Sequence, residues 1–251
     1  MANPALSNNP AFKRGSTVSA AQLEELYERP AASPADTGRM TYEDTAVKTV
    51  VLFAVLVATS AVGWFMPALA IVGALAGFVL AMVNTFKREP SVPLIVLYAA
   101  AEGLFVGGIS QLFNEQWKGI PLQAALATFV TVGVTLALFA SGKIRASARA
   151  TKIFMIAMVS YLVFQLINVV LQLTGVVQSQ FGLQSGALGI VIGLLVVVMA
   201  AYSLVLDFDQ IQQGVRRGLP AKYGWTGAFG LMVTIVWLYL EILRIFGLAR
   251  R

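Results

Sequence analysis

The chain has 251 residues, of which 58% are hydrophobic and only 12% charged, with a net charge of +6 and a mean hydropathy of +0.77. Soluble domains carry about 25% charged residues, so a soluble globular enzyme is excluded for want of polar surface to clothe it. There is no cysteine and no histidine, which excludes a disulfide-stapled fold, zinc sites of the usual kind and histidine-based catalysis.

Residues 1–45 carry four basic and six acidic residues, a net of −2; the remaining fourteen basic and six acidic residues give residues 46–251 a net of +8. The first 45 residues are rich in Ala, Pro, Ser and Asn and read as a polar, largely disordered tail. Its opening Met-Ala-Asn-Pro-Ala-Leu-Ser has no apolar core, so no cleavable signal peptide is expected. Within the tail, Ser19 and Gln22 form a capping-box pattern ahead of Leu23, Leu26 and Tyr27, which predicts one short helix.

Thr41 and Asp44 mark the next helix start, and seven apolar spans follow at about 46–65, 67–86, 92–113, 120–141, 153–174, 186–208 and 226–248. Each is long enough for a ~30 Å hydrocarbon slab at ~1.5 Å per residue. The pattern predicts an all-α, polytopic membrane protein, a seven-helix bundle over 46–251. Pro67 permits a close hairpin between spans one and two. Gly, Gln and Ser cluster at 174–186 and divide spans five and six. Gly73 and Gly77, Gly103 and Gly107, and Gly189 and Gly193 stand four apart, the spacing that lets helix backbones approach in lipid.

Basic residues fall in alternate loops: Lys87 and Arg88; Lys143, Arg145, Arg149 and Lys152; Arg216, Arg217 and Lys222. The other three loops contain only Lys118, so the count is nine against one. That bias predicts a cytoplasmic N-terminus in the cell membrane. It assigns the high pI to membrane topology, so no nucleic-acid partner is expected. Arg250 and Arg251 at the far end run against the bias and leave room for a seventh segment that re-enters without crossing.

An acid in hydrocarbon costs ~2.5–3.5 kcal/mol on insertion scales, so each one calls for a role. Glu102 lies mid-span in the third helix. Asp207 and Asp209 close span six; two apart on a helix, they point ~200° away from each other and form no dyad together. Acids at a helix C-terminus oppose the macrodipole, which Arg216 and Arg217 offset. Glu241 has Arg244 three positions on, the spacing of an ion pair within one helix. Tyr161, Gln165, Asn168 and Gln172 share one face of span five and need partners on other helices or in cavity water, the second being favoured. Thr128, Thr131 and Thr135 stripe span four and can satisfy themselves on their own helix. No phosphate-binding loop, metal site or cofactor motif occurs.

At Asp207 the sequence resembles a known family. Leu206-Asp207-Phe208-Asp209-Gln210 is similar to the Tyr-Asp-Thr-Gln-type signature of the Bax-inhibitor (transmembrane Bax-inhibitor-motif) family. Leu238-Tyr239-Leu240-Glu241-Ile242-Leu243-Arg244-Ile245-Phe246 resembles that family's last helix, and Tyr98-x-x-x-Glu102-Gly103 agrees in span three. The likeness runs over about 46–251, with the tail outside it, and looks most like a bacterial branch with a longer N-terminal extension. It implies one central helix wrapped by six others and a pH-sensitive calcium leak. Its sensor would be two carboxylates, one in each of the last two helices, sharing a proton and separating by repulsion on deprotonation. Asp207 matches the first of these, and Asp209 falls where glutamine is usual. The second falls on Glu241 by one alignment and on Thr234 by another. Glu241 lies about 24 Å along span seven at ~1.5 Å per residue, whereas Asp207 is expected near the cytoplasmic face; Glu102, or Lys87 with Arg88, is then the other candidate partner.

The expectation is therefore a non-enzymatic, cofactor-free cation leak whose partners are the bilayer, protons and calcium or other cations. Asp207, Asp209, Glu102 and Glu241 are the sensing or pathway groups, Arg244, Lys87 and Arg88 their charge partners, and Gln165, Asn168 and Gln172 the cavity lining. Two alternatives stand beside it. One is a non-transporting modulator of a membrane protease or other membrane complex; the other is an intramembrane hydrolase using Asp207 with Glu102 or Glu241.

Overall fold

Thr41 caps the first membrane helix as its sequence predicts: its hydroxyl accepts a hydrogen bond from the Asp44 backbone N–H at 3.0 Å. In the computed structural model, which describes residues 38–87, 89–179 and 181–250, seven helices follow. They are α1 (Tyr42–Phe65), α2 (Leu69–Phe86), α3 (Val92–Gln116), α4 (Ile120–Ala140), α5 (Ala148–Leu173), α6 (Gly186–Arg216) and α7 (Gly224–Ala249). All seven are long and apolar enough to cross a membrane. The tail helix predicted over Ser19–Tyr27 lies outside the described residues, as do Arg88 and Arg251.

Two apolar clusters share α7, and this makes it the central helix. One joins Leu204, Phe208 and Ile211 of α6 to Ile120 and Ala124 of α4 through Leu238 and Ile242. The other joins Leu52 and Leu56 of α1 to Ile95 and Tyr98 of α3 through Met232 and Val236. The wrapping differs from the expected six. Helices α1, α3, α4 and α6 pack directly on α7, while α2 packs on α3. Helix α5 buries only Phe154 and Asn168 and turns Ile156, Leu162, Leu166 and Val170 outward toward lipid. The two outer helices are placed by what they offer. Gly73 of α2 lies against the Ala101 carbonyl of α3, where a Cβ would come within 2.6 Å. Helix α5 reaches α7 through Tyr161, whose ring lies 6.5 Å from that of Trp237.

Helix α6 continues two turns past the expected end of span six. Ile211 extends its buried stripe, and Arg216 occupies the last turn. Asp207 and Asp209 are therefore interior to the helix, not at its C-terminus, and the macrodipole meets a cation instead. Helix α7 is unbroken over 26 residues, about 39 Å at 1.5 Å per residue, long enough to cross the membrane without a break. At the end where α1 and α7 begin, Arg39 bridges Pro220 antiparallel. Lys48 there donates to the Ala221 carbonyl at 2.7 Å and pairs with Asp44 at 2.5 Å.

Candidate functional site

Asp207 faces inward from α6 and meets α7. The Thr234 hydroxyl donates to its Oδ2 at 2.7 Å, and Ser203 lies 3.4 Å from Thr234. Asp207 stands nine residues before the end of α6 and Thr234 ten residues after the start of α7. At 1.5 Å per residue both are about 14–15 Å from that end of the bundle, level with each other on antiparallel helices. Because α6 runs nine residues past Asp207, the carboxylate lies inside the helix rather than at its end. Gly230, one turn before Thr234, makes room: a Cβ there would come within 3.3 Å of Asp207 Oδ1. A cavity of about 160 Å³ runs beside the carboxylate, bounded by Met40, Gln210, Leu219, Thr226 and Gly230. Gln210 and Thr226 are exposed, so the cavity opens toward the end of the bundle that carries the Lys- and Arg-rich loops. Tyr223 is the other titratable side chain on its wall.

Of the two alignments, the geometry selects Thr234 as the residue opposite Asp207. Glu241 lies two turns further along α7, about 10 Å deeper at 1.5 Å per residue. It is 5% exposed and forms an ion pair with Arg244 within its own helix. The dyad that the family likeness implies is not formed, because the position level with Asp207 is a threonine. Among the described residues no hydrogen bond joins two of the carboxylates.

Glu241 anchors a second polar group. The Tyr161 hydroxyl approaches its Oε2 at 3.4 Å, Gln165 donates to Tyr161 at 3.0 Å, and Gln184 donates to Gln165 at 3.0 Å. Asn168 accepts the Leu183 backbone N–H at 2.7 Å, and Gln172 lies where a Cβ on Gly182 would come within 2.6 Å. The polar face of α5 was expected to line a cavity; it is met instead by the α5–α6 loop, which folds back into the bundle and leaves Gln184 only 2% exposed. In the sequence this loop reads as an ordinary polar turn, so Gln184 carried no signal there.

Glu102 points from α3 to α2. Tyr98, one turn earlier, directs its hydroxyl at it. Gly77 of α2 leaves the space that the carboxyl occupies, since a Cβ there would come within 2.7 Å of Oε1. Asp209 turns outward and accepts from Gln213 at 2.6 Å. Lys87 makes no ion pair among the described residues; across the same end, Glu89 pairs with Lys222 at 3.0 Å. Thr128 and Thr131 donate to the carbonyls of Ala124 and Ala127 on their own helix, as their spacing implies.

A seven-helix membrane bundle with an inward-facing carboxylate on the sixth helix, held by the seventh, is what the chain builds. It belongs to the Bax inhibitor 1 like family, whose model matches residues 3–251. The match takes in the N-terminal region that the motif likeness left outside. No curated protein matches the chain.

Proposed function

We propose that this protein is a passive, proton-regulated cation leak, with calcium the expected ion and Asp207 the titrating group. The loop charges give it a cytoplasmic N-terminus in the cell membrane, so the Asp207 cavity opens to the cytoplasm. Conduction requires no bond-breaking step and no cofactor. The observation that carries the reading is the placement of Asp207: turned into the bundle, bonded to a neutral hydroxyl, beside a cavity that opens toward the end with the basic loops.

With Thr234 opposite it, Asp207 has no second carboxylate to repel. Gating then works through hydration. A neutral carboxyl is tolerated in the bundle, whereas a charged one at that depth demands water or a counter-ion. The cavity is the route by which water reaches it, and hydrating the charge favours separation of α6 from α7. Calcium flux from proteoliposomes across mildly acidic to mildly alkaline buffer tests this. Asp207→Asn is expected to flatten the pH response, while Thr234→Val keeps one, because the titrating group remains. An unchanged leak and pH response in Asp207→Asn overturns the assignment.

A further inference from the structure

A second, larger cavity of about 500 Å³ lies between α1 and α4. Its rims are Val57, Ala61 and Phe129, all exposed, and its floor is α3 and α7, including Val106, Met232 and Val236, all buried. It is a groove that opens sideways and exposes a strip of the central helix to the bilayer. The Phe53–Phe129 ring pair, 5.5 Å between centroids, closes one end of it, midway along α1 and α4. Trp64 and Pro121 flank its other end, on the side away from the basic loops. From Phe53 to Trp64 the groove runs eleven residues of α1, about 16 Å at 1.5 Å per residue, close to half of a ~30 Å hydrocarbon slab.

The hydroxyls of the groove are already occupied. Ser60 donates to the Val57 carbonyl at 2.8 Å and Thr128 to the Ala124 carbonyl at 2.7 Å. Ser110 bonds the Val106 carbonyl at 2.5 Å and the Tyr239 hydroxyl at 2.6 Å. Water needs ~2–4 polar partners to stay in such a space, and with these hydrogens spent inside the protein the mostly apolar lining offers few. A void of this size left empty forfeits the contacts of its whole lining. A neighbouring membrane helix needs ~20 apolar residues, about 30 Å, roughly twice the groove's length, whereas one extended acyl chain reaches across half the slab.

We infer that this groove is a binding site for a single lipid acyl chain from the leaflet away from the basic loops. The chain lies lengthwise between α1 and α4, completes the packing of α7, and braces the stretch of α7 on either side of Thr234. Its headgroup stays at the membrane surface beside Trp64, at the level where aromatic rings gather.

The test uses the full chain in proteoliposomes containing a phosphatidylcholine with a photoactivatable diazirine in mid-chain, with adducts mapped by mass spectrometry. Adducts are expected on Met232, Ile235 or Val236, which lipid reaches only through the groove, as well as on the outward residues Leu162 and Leu166 of α5. Filling the groove with Ala125→Phe is expected to lower the α7 adducts roughly tenfold and to leave the α5 adducts unchanged. Ala61→Leu, a milder filling, gives an intermediate loss and guards against a variant that fails to fold. Absence of α7 adducts, or adducts that persist at full level in both variants, overturns the inference. Absence of α7 adducts in a chain that native mass spectrometry shows to be a dimer overturns it in favour of a second copy.

Discussion

Glu241 and Arg244 show what a charge deep in the bundle requires. Their side chains are 6% and 13% exposed, and they are paired across one helical turn. Among the described residues, Arg244 Nε and Nη1 have no hydrogen-bond partner. Removing one member of such a pair leaves an uncompensated buried charge, which costs about 3–5 kcal/mol, whereas replacing both by apolar residues of similar volume is often neutral. Glu241→Gln is therefore expected to lower the thermal unfolding temperature in mild detergent sharply, and Glu241→Leu with Arg244→Met to recover most of the loss. A single variant as stable as the parent would mean that the pair is open to water. Asp207 differs in kind: it has a hydroxyl for a partner and a cavity beside it, so its charge can change without stranding another.

At the scale of the helix, contact is set by small residues. Gly103 lies against the Leu56 carbonyl and Gly107 against the Ser60 carbonyl, both of α1, closer than any Cβ allows. Gly107→Val must push α1 and α3 apart, at the ~1–3 kcal/mol typical of overpacking. Gly133 of α4 faces open space, so Gly133→Ala is expected to be neutral or to gain about 0.5–1 kcal/mol by removing helix-interior glycine. Thermal unfolding of the two variants side by side checks the contrast; equal effects would show that the glycines do not set the α1–α3 approach. The glycine spacing was legible in the sequence, as were the spans and the Thr41 cap, because periodicity and capping are local. The end of α6 was not, since Gln210-Ile211-Gln212-Gln213 is polar enough to end a hydropathy run although Ile211 is buried. The Asp207–Thr234 contact depends on how two helices are registered against each other, which no spacing within either one states. The same holds for Gln184, whose role exists only because its loop turns inward.

At the scale of the whole molecule, every group in the proposed leak lies within one compact unit that begins at Gly38. The titrating carboxylate, its threonine, the cavity and the Arg39–Pro220 bridge beside it are all contained there. A chain with residues 1–37 replaced by a single Met is therefore expected to insert, to leak calcium, and to keep the pH response of the full chain in proteoliposomes. Thr41 still caps α1 in that chain, and Lys48 still ties α1 to Ala221, so the deletion removes sequence without removing a described contact of the bundle. A modulator that works by holding another membrane complex behaves differently: it has no leak of its own to preserve, and its partner is lost if the tail is the contact surface. A truncated chain that is folded by circular dichroism but no longer leaks would place conduction outside the bundle and sink the Asp207 route. One that leaks without a pH response would move the sensor into the tail, where the acids Glu24, Glu25, Glu28 and Asp36 stand.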